Sequence, residues 1–405
     1  MGRRSRLRLV QNALLLVMLA GITCFYAIDY DKRAKGTDFA HIYSAARMVR
    51  EGYGHQLYDF QTQDQFQIRY VGRAGTYYNH PPFETLLYLP LSLFSLQTAY
   101  LLWCALNVAF LTYTAIVFQK HVLNRLDWRI LLPLLLLFPP VLITFQQGQD
   151  SLLLLLIMTL AVVELTRNRN FRAGCLLGCG LFKFHIVFTL VLLLISLRRR
   201  GLLGGFALVF VTLVLISAGI SGWVFLTEYP RFLTKLSSLP LAGIHPAAMA
   251  NIRGLVSVSG ITSDIAVRLS FTLFASLFLF GWAAWSAKNS KFRGAASRVF
   301  ANFILTAILV SYHLSPSDLC IALLPIGLLS ASLTKDTGMP RWERLSLLSC
   351  QCVLFLPPLH LILLARHVYA YVSIPILIMF LLTSEGIRRN GIPSNAEGEE
   401  VSLSR

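Results

Sequence analysis

Charge is scarce in this chain: only 14% of its residues are Asp, Glu, Lys or Arg, and 19 of 405 are acidic. Soluble domains carry about 25% charged residues, so the shortage excludes that class. Cysteine is also sparse. The seven present (Cys24, Cys104, Cys175, Cys179, Cys320, Cys350 and Cys352) lie in or beside apolar segments, where Cys packs as a small hydrophobe. None is spaced with His as a zinc ligand, so neither a disulfide framework nor a structural metal is expected. Long linkers, compositional breaks and strong internal repeats are missing too. One integral domain over residues 1–389 is therefore expected, followed by a short tail, 390–405, whose Gly391, Pro393 and Glu397–Glu400 composition predicts disorder.

What the chain has in abundance is apolar surface: 56% hydrophobic residues and a mean hydropathy of +0.63. That composition predicts an all-α, polytopic membrane protein. Arg3, Arg4, Arg6 and Arg8 precede an apolar run over 10–28, long enough to cross about 30 Å of hydrocarbon. With no convincing small-residue cleavage site after it, the run reads as an uncleaved signal anchor, and Arg3-Arg4 as its ordinary basic flank. Further apolar segments fall at 97–118, 130–146, 149–166, 202–222, 264–286, 299–312, 316–333, 345–358 and 368–384. The stretch 173–197 is long for one helix and holds Gly178, Gly180 and Lys183 at its middle, which predicts a broken pair. A shorter apolar piece at 81–95 predicts a lipid-edge or re-entrant helix.

The net charge of +17 does not point to nucleic acid, because the basic residues are dispersed in short clusters between apolar segments. Those clusters, at the N-terminus, 119–129, 167–172, 198–200, 287–298, 334–344 and after 385, hold most of the 36 Lys and Arg residues. The positive-inside bias assigns them to the cytoplasm. About 12 membrane segments then close the path with both termini cytoplasmic, and residues 29–80, 146–150, 223–262, 312–316 and 359–367 face outward. Asp38, His80, Gln149, Asp150, Arg253, His313 and Asp318 all fall on or near that outer side. Polar groups at membrane depth are costly and are functional candidates by default, and these are placed to converge on one outward cavity.

The first outward loop, 29–80, is the longest polar stretch in the chain. The spacing of Ile42, Ala45, Ala46 and Val49 predicts a short amphipathic helix on the membrane surface, with Thr37 or Asp38 at its start. Asp38 then has two readings, as a helix cap or as a catalytic carboxylate. Asp29 and Asp31 form an Asp-x-Asp pattern of the kind some metal-dependent transferases use, but so short a motif arises often by chance, and no metal is expected. Gln149 and Asp150 suit a tight turn as well as a site. Lys183 suits a snorkelling side chain as well as a phosphate contact. Arg253, beside Asn251, suits a substrate contact or a lipid headgroup, and His313 suits an interfacial histidine or one oriented by Asp318.

The run Thr37-Asp38-Phe39 with Tyr43, Ala45, Gly52 and Tyr58-Asp59, then His80-Pro81-Pro82 and Leu89-Pro90-Leu91, resembles glycosyltransferase family 87. The resemblance continues through Gly148-Gln149, the segment from Gly174 to Lys183, Asn251-Ile252-Arg253-Gly254-Leu255 and the stretch from Tyr312-His313 to Asp318-Leu319, covering about residues 37–333. Where this chain has His80-Pro81-Pro82 and Lys183-Phe184, the family often has Tyr-Pro-Pro and Lys-Pro. The resemblance implies the C-type glycosyltransferase fold and transfer of mannose or a related sugar from a polyprenyl-phosphate donor to an outward-facing glycolipid or glycan acceptor, with inversion and no cofactor. It implies Asp38 as the catalytic carboxylate; with it, His313 is the second catalytic candidate and Tyr43, His80, Gln149, Lys183, Asn251, Arg253 and Asp318 are the substrate-binding candidates. It also implies a location in the bacterial inner membrane among lipid partners, with the active site on the outer face. The rival class is a transporter or flippase of lipid-linked sugars. Transporters usually keep their polar groups near the midplane and often carry inverted repeats, neither of which this sequence shows.

Overall fold

The computed structural model describes residues 34–197, 200–238, 245–288, 292–335 and 339–389. The expected anchor at 10–28, the Asp29–Asp31 pair, Cys24 and the tail lie outside them. Among the described residues every regular element is a helix and none is a strand. This follows from the composition, because a backbone surrounded by hydrocarbon must bond to itself.

Four helices are long and apolar enough to cross a membrane: Leu96–His121, Arg200–Ser221, Ile265–Lys288 and Tyr369–Arg389. Three bent pairs raise the number to 7 if each counts as one span, and Ser151–Thr166, Ala296–Val310 and Asp318–Thr334 are shorter apolar helices. Length and composition alone therefore do not reach the expected twelve passes.

The bends have local causes. Trp128–Leu136 and Pro139–Gln147 meet at 73°, so the expected single segment over 130–146 is two helices. Phe138 is extended because it precedes proline, and Pro139 and Pro140 then start the second helix, where a missing N–H costs nothing. Arg341–Leu354 and Pro357–Ala365 meet at 60° for the same reason at Leu356, so the expected outward stretch 359–367 is largely helical. The expected break within 173–197 is present: Asn170–Cys179 and Leu181–Ser196 meet at 66°. There the backbone leaves the helical region at Lys183.

Two glycines let the first half of that broken pair press against Arg200–Ser221. A Cβ on Gly174 would lie 2.0 Å from the Leu202 carbonyl oxygen, and one on Gly205 would lie 2.0 Å from that of Phe171. Close backbone approach at small residues is the usual way apolar helices associate in lipid. The second half packs against Phe292–Val310, which also contacts Leu323–Lys335 and Ser373–Arg389. From Val299 to Leu309 every residue of that helix is buried, so it forms the axis of the bundle and delivers the chain to His313. Ile265–Lys288, by contrast, exposes Leu273, Phe274, Leu277 and Phe278 along its outer side.

The predicted helix of the first loop runs Asp38–Arg50, but it does not lie on a surface. Phe39 to Ala46 and Met48 are all buried, enclosed by Phe60–Val71, Thr85–Tyr88 and Leu91–Leu93. Asp59 caps the next helix by accepting from the Thr62 amide at 2.8 Å. The Tyr58 hydroxyl donates to the His80 carbonyl at 2.9 Å, and Gln63 Oε1 accepts from the Tyr78 amide at 2.7 Å. These bonds hold the segment 78–84 over the buried helix.

Candidate functional site

Asp38 is the first residue of its helix, and Thr37 occupies the cap position with extended backbone. The Asp38 carboxylate is half-buried and does not bond the amides of its own first turn. Its Oδ2 instead accepts from Gln149 Nε2 at 2.6 Å, across 111 positions of sequence. The structure thus sets aside the capping role. Among the described residues no group donates to Oδ1, which leaves that oxygen available at the half-exposed edge of the site.

Gln149 is presented by a tight turn after Pro139–Gln147. Gly148 ends that helix at φ 64°, and a Cβ there would come 2.7 Å from the Cβ of Phe39. Only glycine combines the left-handed backbone with this approach. The Gln149 carbonyl accepts long bonds from Trp103 Nε1 at 3.4 Å and Asn107 Nδ2 at 3.3 Å, which fixes the turn to the Leu96–His121 helix.

Behind Gln149 lies a buried charge cluster. Lys183 Nζ donates to Gln149 Oε1 at 3.0 Å and pairs with Asp150 Oδ1 at 3.2 Å and Asp318 Oδ1 at 3.3 Å. Asp318 is held in turn by Ser151 Oγ at 2.9 Å and by the amide and hydroxyl of Ser315, each at 3.0 Å. Lys183 is 4% exposed and both aspartates 1% or less, so the snorkelling reading of Lys183 does not hold. Its ammonium thus has one hydrogen bond, to Gln149, and two ion pairs.

Glu84 adjoins this cluster, fully buried, with its Oε2 at 2.9 Å from His80 Nδ1. Burial pushes its carboxyl up to about 8, against the pull of Lys183. One ammonium therefore faces Asp150, Asp318 and a Glu84 that is a neutral acid at pH 7, able to donate a hydrogen bond to Asp150. Burial also pushes His80, His41 and His313 down to about 4, so all three are neutral imidazoles. The His41 and His80 rings stack at 6.1 Å, and His185 and His313 meet edge to face at 6.1 Å. Neither ring nitrogen of His41 has a partner among the described residues.

Of the residues expected in the site, Asp38, His80, Gln149, Lys183, His313 and Asp318 form one electrostatically connected group. Arg253 stands beside it: its guanidinium lies 4.1 Å from the centre of the Tyr312 ring and donates to the Tyr312 carbonyl at 3.1 Å. Asn251 is buried and built into the fold, capping Ile252–Val258 through the Gly254 amide at 2.8 Å and donating to the Ser311 carbonyl at 2.7 Å. The Tyr43 hydroxyl is committed to the Phe94 carbonyl at 2.7 Å, away from Gln149. Sequence reasoning missed Glu84, His41, His185, Ser151 and Ser315, and left Asp150 between a turn residue and a member of the outward cavity. Glu84 carried a usable signal, a carboxylate four residues after a histidine in an apolar segment. Among the described residues no three His, Cys, Asp or Glu side chains form a group suited to a metal ion.

The arrangement presents one half-buried carboxylate, with one oxygen that no group among the described residues donates to, anchored to a buried network in which one ammonium faces two aspartates. That combination can accept a proton from a hydroxyl held at the edge of the site. Against known proteins, the profile of Glycosyltransferase family 87 matches residues 78–311, more than half the chain. The matched region spans His80, Gln149, Lys183 and Arg253, and Asp38 precedes it. No curated protein and no solved structure matches the chain.

Proposed function

We propose that this chain, which belongs to glycosyltransferase family 87 and so is a membrane glycosyltransferase, moves a sugar from a polyprenyl-phosphate donor to an outward-facing glycolipid or glycan hydroxyl. The sugar is mannose or a related monosaccharide. Asp38 is the general base. Its carboxylate takes the proton from the acceptor hydroxyl as that oxygen attacks C1 of the sugar on the face opposite the phosphate. The C1–O bond breaks, and its electron pair leaves with the polyprenyl phosphate. A single displacement of this kind inverts the anomeric centre.

The observation that carries this reading is the Asp38 carboxylate itself, half-buried, with one oxygen bound by Gln149 at 2.6 Å and the other without a donor among the described residues. The departing phosphate is a stable anion, so the acceptor's proton is the harder problem, and one aimed carboxylate answers it. Phosphate charge still needs stabilising donors. Arg253, half-buried beside Tyr312 and next to His313 in the electrostatic network, supplies a cation for that side. His80 completes the group around the acceptor.

Purified protein in liposomes, given radiolabelled polyprenyl-phosphate mannose and an extract of the host's envelope glycolipids, tests the class. Label transferred to acceptor with inverted configuration supports the proposal. Movement of intact donor between leaflets without transfer supports the transporter and overturns it.

A further inference from the structure

We propose that Lys183 and Gln149 are positioning residues for Asp38: the Lys183 ammonium sets which end of the Gln149 amide faces the carboxylate. The inference rests on the assignment of Asp38 as the base and gives Lys183 and Gln149 a task other than contact with substrate.

The two ends of a glutamine amide are nearly equal in size, so shape does not choose between them. Partners choose. An ammonium has donors only and a carboxylate has acceptors only. Lys183 Nζ, 3.0 Å from the amide, therefore requires Oε1 on its side, and Nε2 is left 2.6 Å from Asp38 Oδ2. Were the ammonium lost, Oε1 would lose its anchor and the amide would no longer be held in place against the carboxylate.

The surroundings make the device rigid. Lys183 is held on the other side by Asp150 at 3.2 Å and Asp318 at 3.3 Å. Asp318 is held by Ser151 and Ser315 from two different segments. The Gln149 main chain is tied to Trp103 and Asn107 and set close to Phe39 by Gly148. The break in the helix pair at Lys183 is what turns its side chain into this cluster rather than along a helix face. With two aspartates against it and only 4% of the residue exposed, Lys183 is turned inward, away from a lipid phosphate at the edge of the site.

A phosphate contact and a positioning residue leave different kinetic marks. Four proteins reconstituted with radiolabelled polyprenyl-phosphate mannose separate them: wild type, Asp38→Asn, Gln149→Glu and the charge-balanced double variant Lys183→Met/Asp318→Asn. Gln149→Glu keeps an acceptor for Lys183 but sets a carboxylate against Asp38. Its kcat is expected to fall about 10- to 100-fold with donor KM unchanged. The double variant is expected to lose kcat similarly, again with donor KM unchanged. A Gln149→Glu enzyme with wild-type kcat overturns the inference, as does a double variant whose donor KM rises tenfold at constant kcat. Should the double variant fail to fold, Gln149→Met, which removes the donor and adds no charge, must show the kcat loss or the inference fails. If Asp38→Asn keeps wild-type turnover, the assignment of the base has failed instead.

Discussion

A methyl group on residue 148 would sit 2.7 Å from the Cβ of Phe39, on a backbone already at φ 64°. Gly148→Ala therefore meets both a left-handed penalty of about 1–2 kcal/mol and a clash that pushes the Gln149 turn away from Asp38. A lower melting temperature together with reduced transfer is expected, measured by thermal unfolding in detergent and by the labelled-donor assay. Wild-type values for both would show that the turn does not need glycine. Lys183→Met alone leaves Asp150 and Asp318 buried without their cation, a loss of about 3–5 kcal/mol. The single variant should unfold at a markedly lower temperature than the Lys183→Met/Asp318→Asn pair, and equal melting temperatures would contradict the ion pairing. Asp38, Lys183 and Asp318 were legible as candidates because each is a charge in apolar surroundings. Their partnership was not legible: nothing in the spacing of Asp38 and Gln149 announces a bond across 111 residues.

The short elements around the site decide its response to pH. His41, His80 and His313, near 6.5 when unfolded, are held at about 4 by burial. Between those values the unfolded chain binds protons that the folded one refuses, so stability falls as pH drops from 6.5 towards 4. Glu84 works in the other direction. Its carboxyl rises from 4.5 to about 8 on folding, so the folded state binds the extra proton and stability falls as pH rises from 4.5 towards 8. Melting temperature against pH should thus decline on both sides. Glu84→Gln should flatten the alkaline decline and His41→Gln part of the acid one; curves parallel to wild type would refute the assignments. The same elements show what periodicity can and cannot reveal. The spacing of Ile42, Ala45, Ala46 and Val49 gave the Asp38–Arg50 helix. That it is enclosed rather than laid on the membrane depends on the 78–84 segment folding back over it, a tertiary event with no local signature. Gly178, Gly180 and Lys183 marked the broken pair, whereas Pro139-Pro140 bent a segment that hydropathy had drawn as continuous and Pro357-Pro358 started a helix where an outward stretch was expected.

For the whole molecule, composition fixed the class and the order of loose motifs fixed the family, because both draw on the full length of the chain rather than on any one contact. Orientation is the next property to measure. The basic clusters assign the loop around residue 73 to the outer side and the loop around 125 to the cytoplasm. In a background lacking native cysteines, Arg73→Cys should react with a membrane-impermeant maleimide in right-side-out vesicles and Arg125→Cys only after permeabilisation. Both positions are exposed, so the reverse pattern would place the site on the cytoplasmic side. The site itself is a product of the whole bundle: Asp38, Gln149, Lys183 and Asp318 come from four separate segments, brought together only when the broken helix pair and the buried axial helix are in place. The most direct test of this account is turnover of labelled polyprenyl-phosphate mannose by Asp38→Asn beside wild type, in liposomes and at matched melting temperature. The account predicts a loss of kcat of about 10²- to 10⁴-fold, the usual contribution of a positioned base, and transfer at the wild-type rate would contradict it.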